Sequence, residues 1–131
     1  MPQINFGDDI KCMNGLVLSY RTVSSTPTTI SSTSGTGGTH DYMIGVNTSS
    51  GPITINLPTD NVACVVGRTY VIFDKTGNAA TAGNPHHHIT IDAGLGSLIN
   101  GSRTKEITSN YNSITVCCVD ATSGAVRWNI I

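Results

Sequence analysis

Charge is what this sequence has least of. Asp, Glu, Lys and Arg make up 11% of the residues, Glu106 is the single glutamate, and the formal net charge is -1. Seven Lys and Arg scattered singly build no basic face, so a nucleic-acid partner held through phosphate contacts is not expected. Long apolar runs are missing as well, and with them the stretch of about 20 residues that a membrane-spanning helix requires. No membrane insertion is expected. The stretch Met1-Pro2-Gln3-Ile4-Asn5-Phe6-Gly7-Asp8-Asp9 has neither the basic nor the apolar part of a secretory leader, which points to synthesis in the cytoplasm. Cys12, Cys64, Cys117 and Cys118 contain no CxxC spacing, and the adjacent pair would face opposite sides of a strand. Neither a disulfide framework nor a cysteine zinc site is expected. Cys64 and one of the adjacent pair read as small core residues.

Catalytic constellations are also lacking. There is no G-x-S-x-G elbow, no phosphate-binding glycine loop and no H-E-x-x-H, so hydrolase, NTPase and metalloprotease chemistries lack their minimal parts. An enzyme is not expected. Asp41, Asp60, Asp74, Asp92 and Asp120 all flank apolar runs, where Asp serves turns through local hydrogen bonds. A glycosidase would need two carboxyls held a few ångströms apart, and Asp74 with Asp92 is the pair to place.

What the chain does contain is a series of short strand patterns punctuated by Gly, Asn, Asp and Pro. Residues 1–14 mix isolated Ile4, Phe6 and Ile10 with Pro2, Gly7, Asp8 and Asp9. They read as an extended arm that cannot fold alone but can lie along a partner. Residues 15–131 read as one domain, a size suited to a single core. Leu16–Val23 is the first strand candidate, and Ser24–Thr39 is a loop with a weak edge strand near Thr28–Ser31. Ile53-Thr54-Ile55-Asn56-Leu57 alternates strictly, with Ile53, Ile55 and Leu57 facing inward. Arg68–Asp74 is nearly continuous in apolar residues, which predicts a strand buried on both faces. His86–Asp92 predicts a strand with His87, Ile89 and Ile91 on one face and His86, His88, Thr90 and Asp92 on the other. Further strands are predicted at Thr104–Thr108, Ser113–Val119 and Val126–Ile131. The fold class expected is all-β: an antiparallel β-sandwich, jelly-roll-like, preceded by the short arm. No period of twenty to fifty residues repeats, so a solenoid is not indicated.

His86-His87-His88 is the one cluster with chemistry to offer. The plainer interpretation is a polar loop entering a strand. The sharper one is a transition-metal site in a symmetric oligomer, where His86 or His88 from each of three chains meets on the axis. Trp128, the sole tryptophan, is expected to pack at the end of the last strand, and Tyr20, Tyr42, Tyr70 and Tyr111 to pack likewise.

The series Tyr42–Pro58, Gly67–Ala80, Ile89–Asp92, Tyr111–Val116 and Trp128–Ile131, in that order and spacing, resembles a β domain recurrent in bacteriophage and other viral fibre, spike and capsid decoration proteins. The resemblance covers roughly residues 40–131. It implies a non-enzymatic virion component, commonly a homotrimer, displayed on the virion surface and attached to capsid or other virion proteins. With only a short arm and no shaft, the chain fits a capsid decoration or head-fibre protein, with Ile4, Phe6 and Ile10 as anchors. The alternative implied is a tail-fibre or spike tip that binds a host receptor or glycan.

Overall fold

Alternation of apolar with hydroxyl and amide side chains folds this chain into strands throughout. The computed structural model describes residues 18–32, 40–60 and 63–131. The expected arm, with Ile4, Phe6 and Ile10, lies outside the described residues. Ten strands follow in order: β1 (Tyr20–Val23), β2 (Thr28–Thr29), β3 (Met43–Val46), β4 (Ile53–Asn56), β5 (Thr69–Asp74), β6 (Ile89–Asp92), β7 (Leu98–Ile99), β8 (Thr104–Ile107), β9 (Ser113–Asp120) and β10 (Arg127–Ile130). No helix occurs among the described residues. A six-stranded sheet has the order β1-β3-β5-β9-β10-β7, and a four-stranded sheet has the order β2-β4-β6-β8.

The two sheets are mixed, which corrects the expected antiparallel pairing. Each of the first six strands crosses to the other sheet instead of turning back on itself, so its neighbour in the same sheet is two strands away in sequence and parallel. Tyr20 lies beside Met43, and Met43 beside Val71; in the other sheet Thr28 lies beside Ile55, and Ile53 beside Ile89. The chain winds three strands deep in each sheet in this way. Antiparallel pairs then close the structure: β6 with β8, β5 with β9, and β9 with β10, the last with a register shift between Arg127 and Trp128.

The core lies between the sheets. Ile44, Val46, Tyr70, Ile72, Val116, Cys118 and Trp128 from one sheet meet Ile53, Ile55, Leu57, Ile89, Ile91 and Ile107 from the other. The alternation read in Ile53–Leu57 is found as expected. β5 departs from expectation: Tyr70, Ile72 and Asp74 are buried, while Thr69, Val71 and Phe73 are only half-buried. Its apolar run covers both faces, but the outer one has no second layer over it. Tyr20 and Phe73 instead lean together there, ring centroids 6.2 Å apart, across the bare backbone of Gly45. Trp128 and Tyr70 pack in the core with centroids 5.8 Å apart. Tyr20 and Tyr111 are exposed, unlike the packing expected of them. Cys64 and Cys118 are buried and free, and Cys117 is half-buried and free. Burial pushes the Cys64 thiol up to about 11, so it is protonated and inert at neutral pH.

One glycine is tied to close backbone contact. Gly96 has φ +82°, and a Cβ there would fall 2.4 Å from the carbonyl oxygen of Gly124. The surrounding turn is clamped, since Val126 N–H donates to Ser97 Oγ at 3.0 Å and Arg127 Nη1 donates to the Gly96 carbonyl at 2.9 Å. A backbone oxygen cannot swing aside as a side chain can. Gly96→Ala is therefore expected to lose about 2–3 kcal/mol, combining left-handed strain with overpacking. Urea unfolding checks this; a loss below about 1 kcal/mol, the cost of the strain alone, would show that the turn relaxes.

Candidate functional site

The carboxylates are positioned by turns. Asp60 accepts from the N–H of Ala63, Asp74 from Thr76, Asp92 from Gly94, and Asp120 from Thr122. Each acceptor thus sits two or three residues before its donor, the local geometry that suits Asp to strand ends. Asp41 is held differently: Arg21 Nη1 and the Ser31 N–H both donate to its Oδ2, each at 3.0 Å.

Asp74 is the most enclosed of them, 1% exposed. Besides Thr76, it accepts from the Thr48 hydroxyl at 2.9 Å and from the N–H groups of Ala79 and Tyr111, both at 3.1 Å. Burial by itself would raise its pKa, but the N–H groups of Ala79 and Tyr111, with Thr48 and Thr76, outweigh it and hold the carboxyl below its ordinary value. Tyr111 itself has φ 59°, a conformation secured by that bond to Asp74. Asp92 is also held low, first by its hydrogen bond from Arg103, against opposing burial, and with help from the Gly94 N–H. Both carboxyls are ionised at neutral pH, and they share no hydrogen-bond partner. The arrangement supplies no protonated acid for a glycosidase pair.

The three histidines stand before β6 rather than in it. Asn84–Pro85 is a cis peptide, and the His88 N–H donates to His86 Nδ1 at 3.2 Å. The rings of His86 and His88 stack with centroids 4.3 Å apart. His87 turns inward, its Nδ1 buried with no partner among the described residues. Among the described residues, no three His, Cys, Asp or Glu side chains of one chain gather closely enough to hold a metal. Ligation through His86 Nε2 requires the ring proton to move to Nδ1, which ends its acceptance of the His88 N–H.

A concave site lies elsewhere among the described residues, at the C-terminal ends of the parallel strands β2, β4 and β6. It is an open cleft of about 470 Å³. Its apolar part is Leu57, Pro58 and Ala63, and its polar part includes Thr29, Asn56, Asp92 and Arg103. Register explains the polar row, since Thr29 lies beside Asn56, Asn56 beside Asp92, and Asp92 beside Thr104. All four face away from the core. Arg103 grips Asp92 with two bonds, Nε to Oδ1 at 2.9 Å and Nη2 to Oδ2 at 3.2 Å. Asn56 appeared in the sequence only as an outward strand residue, and Arg103 carried no signal. The register that joins them comes from parallel pairing, which strand patterns do not encode. No protein-family model matches this chain, and no curated protein matches it.

Proposed function

We propose that this chain is a non-enzymatic structural protein of a virion, a homotrimer that decorates the capsid and is attached through residues 1–14. The observation that carries this reading is the open sheet edge at β1. β1 is an edge strand, and Leu18 and Tyr20 at its start are 43% and 50% exposed. In this reading Ile4, Phe6 and Ile10 insert into a groove on another virion protein. Burying those side chains offsets the entropy of ordering them. The commitment of Asp74 and Asp92 to their own donors supports a structural rather than a catalytic role.

Trimer formation gives the open strand edges cover. β1 and β7 bound one sheet, β2 and β8 the other, and closed rotational symmetry is a common way to bury such edges. In the trimer, His86 and His88 of three chains are the candidates for a transition metal on the axis. The test is solution mass by light scattering, where three copies of the 13.7 kDa chain are expected. Deleting residues 1–14 should leave that trimer intact and abolish its retention on purified capsids of the parent virus. A trimer that dissociates on chelation assigns the histidines to the axis, and one that persists removes them from it. A monomer under every condition, or a deletion that still binds capsids, overturns the corresponding part of the proposal.

A further inference from the structure

A second recess, of about 430 Å³, opens where β3 and β5 begin. Asp41 and Tyr42 border it from the chain entering β3, and Arg68 and Thr69 from the chain entering β5. Ser32, bridged to His40, closes a third side. Buried donors with nothing to donate to meet at this place. The Arg68 Nε–H is buried with no partner among the described residues, and so is the Tyr70 hydroxyl. Arg68 stands two residues before Tyr70 with its carbonyl already bonded to the Cys118 N–H of β9, so both side chains leave the same face of the chain. Burial raises the pKa of the Tyr70 hydroxyl, and Ser32 and Arg68, close beside it, oppose that rise. Ser32 gives its own proton to the Asp41 carbonyl, and no bond joins it to Tyr70.

Charge sets what such a place can take. The ion pairs of the described residues are Arg21 with Asp41 and Arg103 with Asp92, and Arg68 belongs to neither. Asp41 is the carboxylate on the lining, and Arg21 neutralises it through Oδ2 at 3.0 Å. What remains on the lining is the positive charge of Arg68, half-buried, where salt screens it less than at an open surface. Buried donors are costly until something supplies acceptors, so a fitting ligand brings acceptor oxygens together with a single negative charge. A carboxylate does both, and its two in-plane oxygens match the fork of a guanidinium. A phosphate dianion brings excess charge into a site that already holds Asp41.

We propose that this recess binds a carboxylate group, which accepts hydrogen bonds from the Arg68 guanidinium and the Tyr70 hydroxyl. The inference is independent of the virion reading, since it requires neither the trimer nor residues 1–14.

The full chain is titrated at fixed ionic strength with sodium acetate, with N-acetylglycylglycine and with the C-terminal amide of that dipeptide, following backbone amides by NMR. Inorganic phosphate and chloride are the comparison anions. Acetate should shift the amides of Asp41, Tyr42, Arg68 and Thr69 saturably. Arg68→Gln removes the charge from a side chain that stays polar; it should weaken acetate binding about tenfold or more. Arg68→Lys, which keeps the charge without the fork, should weaken it less. Tyr70→Phe should weaken it about threefold, the loss of one hydrogen bond. Lys105→Gln, at a cation of β8 outside the recess, should leave it unchanged. Tighter binding of the dipeptide than of acetate assigns the carboxylate to a peptide end, and equal or weaker binding assigns it to a free acid. No saturable shift, undiminished binding by Arg68→Gln, an amide that binds as well as the acid, or tighter binding of phosphate or chloride overturns the proposal. If Arg68→Gln does not fold, the comparison of acid with amide on the native chain decides alone. Because the virion reading is tested by mass and capsid retention, its failure is read separately.

Discussion

Asp74→Ala is expected to cost about 3–5 kcal/mol, a large part of the 5–15 kcal/mol that holds a typical domain together. The side chain is a hub of four donors: the N–H groups of Thr76, Ala79 and Tyr111 and the hydroxyl of Thr48. Removing it leaves those donors facing an apolar methyl in a site closed to bulk water. The bond to Tyr111 also restrains a residue with positive φ, so the loop before β9 should loosen with it. Asp74→Asn keeps one acceptor oxygen and turns an NH2 toward N–H groups; it should cost roughly half as much.

The same site sets a pH dependence whose sign is fixed. The folded carboxyl titrates below its unfolded counterpart, so its contribution is complete above the unfolded value of about 4 and is lost as pH falls through the folded one. Urea midpoints measured from neutral pH down to about pH 3 should fall for the native protein, and fall less steeply for Asp74→Asn. Asp92 is lowered too, so some slope persists in that variant. An Asp74→Asn protein with the native slope would remove Asp74 as its source.

Trp128→Ala is expected to cost about 3–5 kcal/mol by opening a cavity between the sheets. Trp128 is 1% exposed and lies beside Cys118 in the ladder and against Tyr70 across it. Trp128→Phe should behave very differently. The indole N–H is buried with no partner among the described residues, so Phe removes an unsatisfied donor while keeping most of the ring contact. A loss under about 1.5 kcal/mol is expected, because relief of the donor offsets part of the lost volume. Circular dichroism followed through urea unfolding compares all three proteins without relying on the missing fluorophore. Equal losses for Ala and Phe would mean that the N–H is satisfied in solution and that contact area alone does not set the cost.

Strand existence was legible where side-chain alternation was clean. Ile53–Asn56 and Ile89–Asp92 show it, and β9 follows its apolar run closely. The Asp turns were legible because their donors lie within three residues. Pairing direction was not, because it depends on where each strand goes next rather than on its own pattern. Nor did the winding leave a repeat to find: the steps from Tyr20 to Met43, from Met43 to Val71 and from Ile53 to Ile89 differ in length. β7, at two residues, is too short to carry a pattern. His86 and His88 read as strand because they lead into one, but the ladder with β4 begins only at Ile89, and the His88 N–H is taken up by His86 Nδ1 instead. The cleft was invisible for the same reason as the pairing. Asn56 and Asp92 are distant in sequence and meet only through parallel register.

β9 occupies a special place in this order. It is bonded to β5 on one side and β10 on the other, and it alone joins the early parallel half of its sheet to the late half. On a ribosome, β1, β3 and β5 emerge long before residues 113–120, with one flank of β5 still bare. Pairings between such distant segments form slowly, and exposed strand edges are where partly made chains associate wrongly. Completion of the six-stranded sheet therefore waits on the synthesis of β9 and β10, and the nascent form that most needs shielding is the one that ends just short of Ser113.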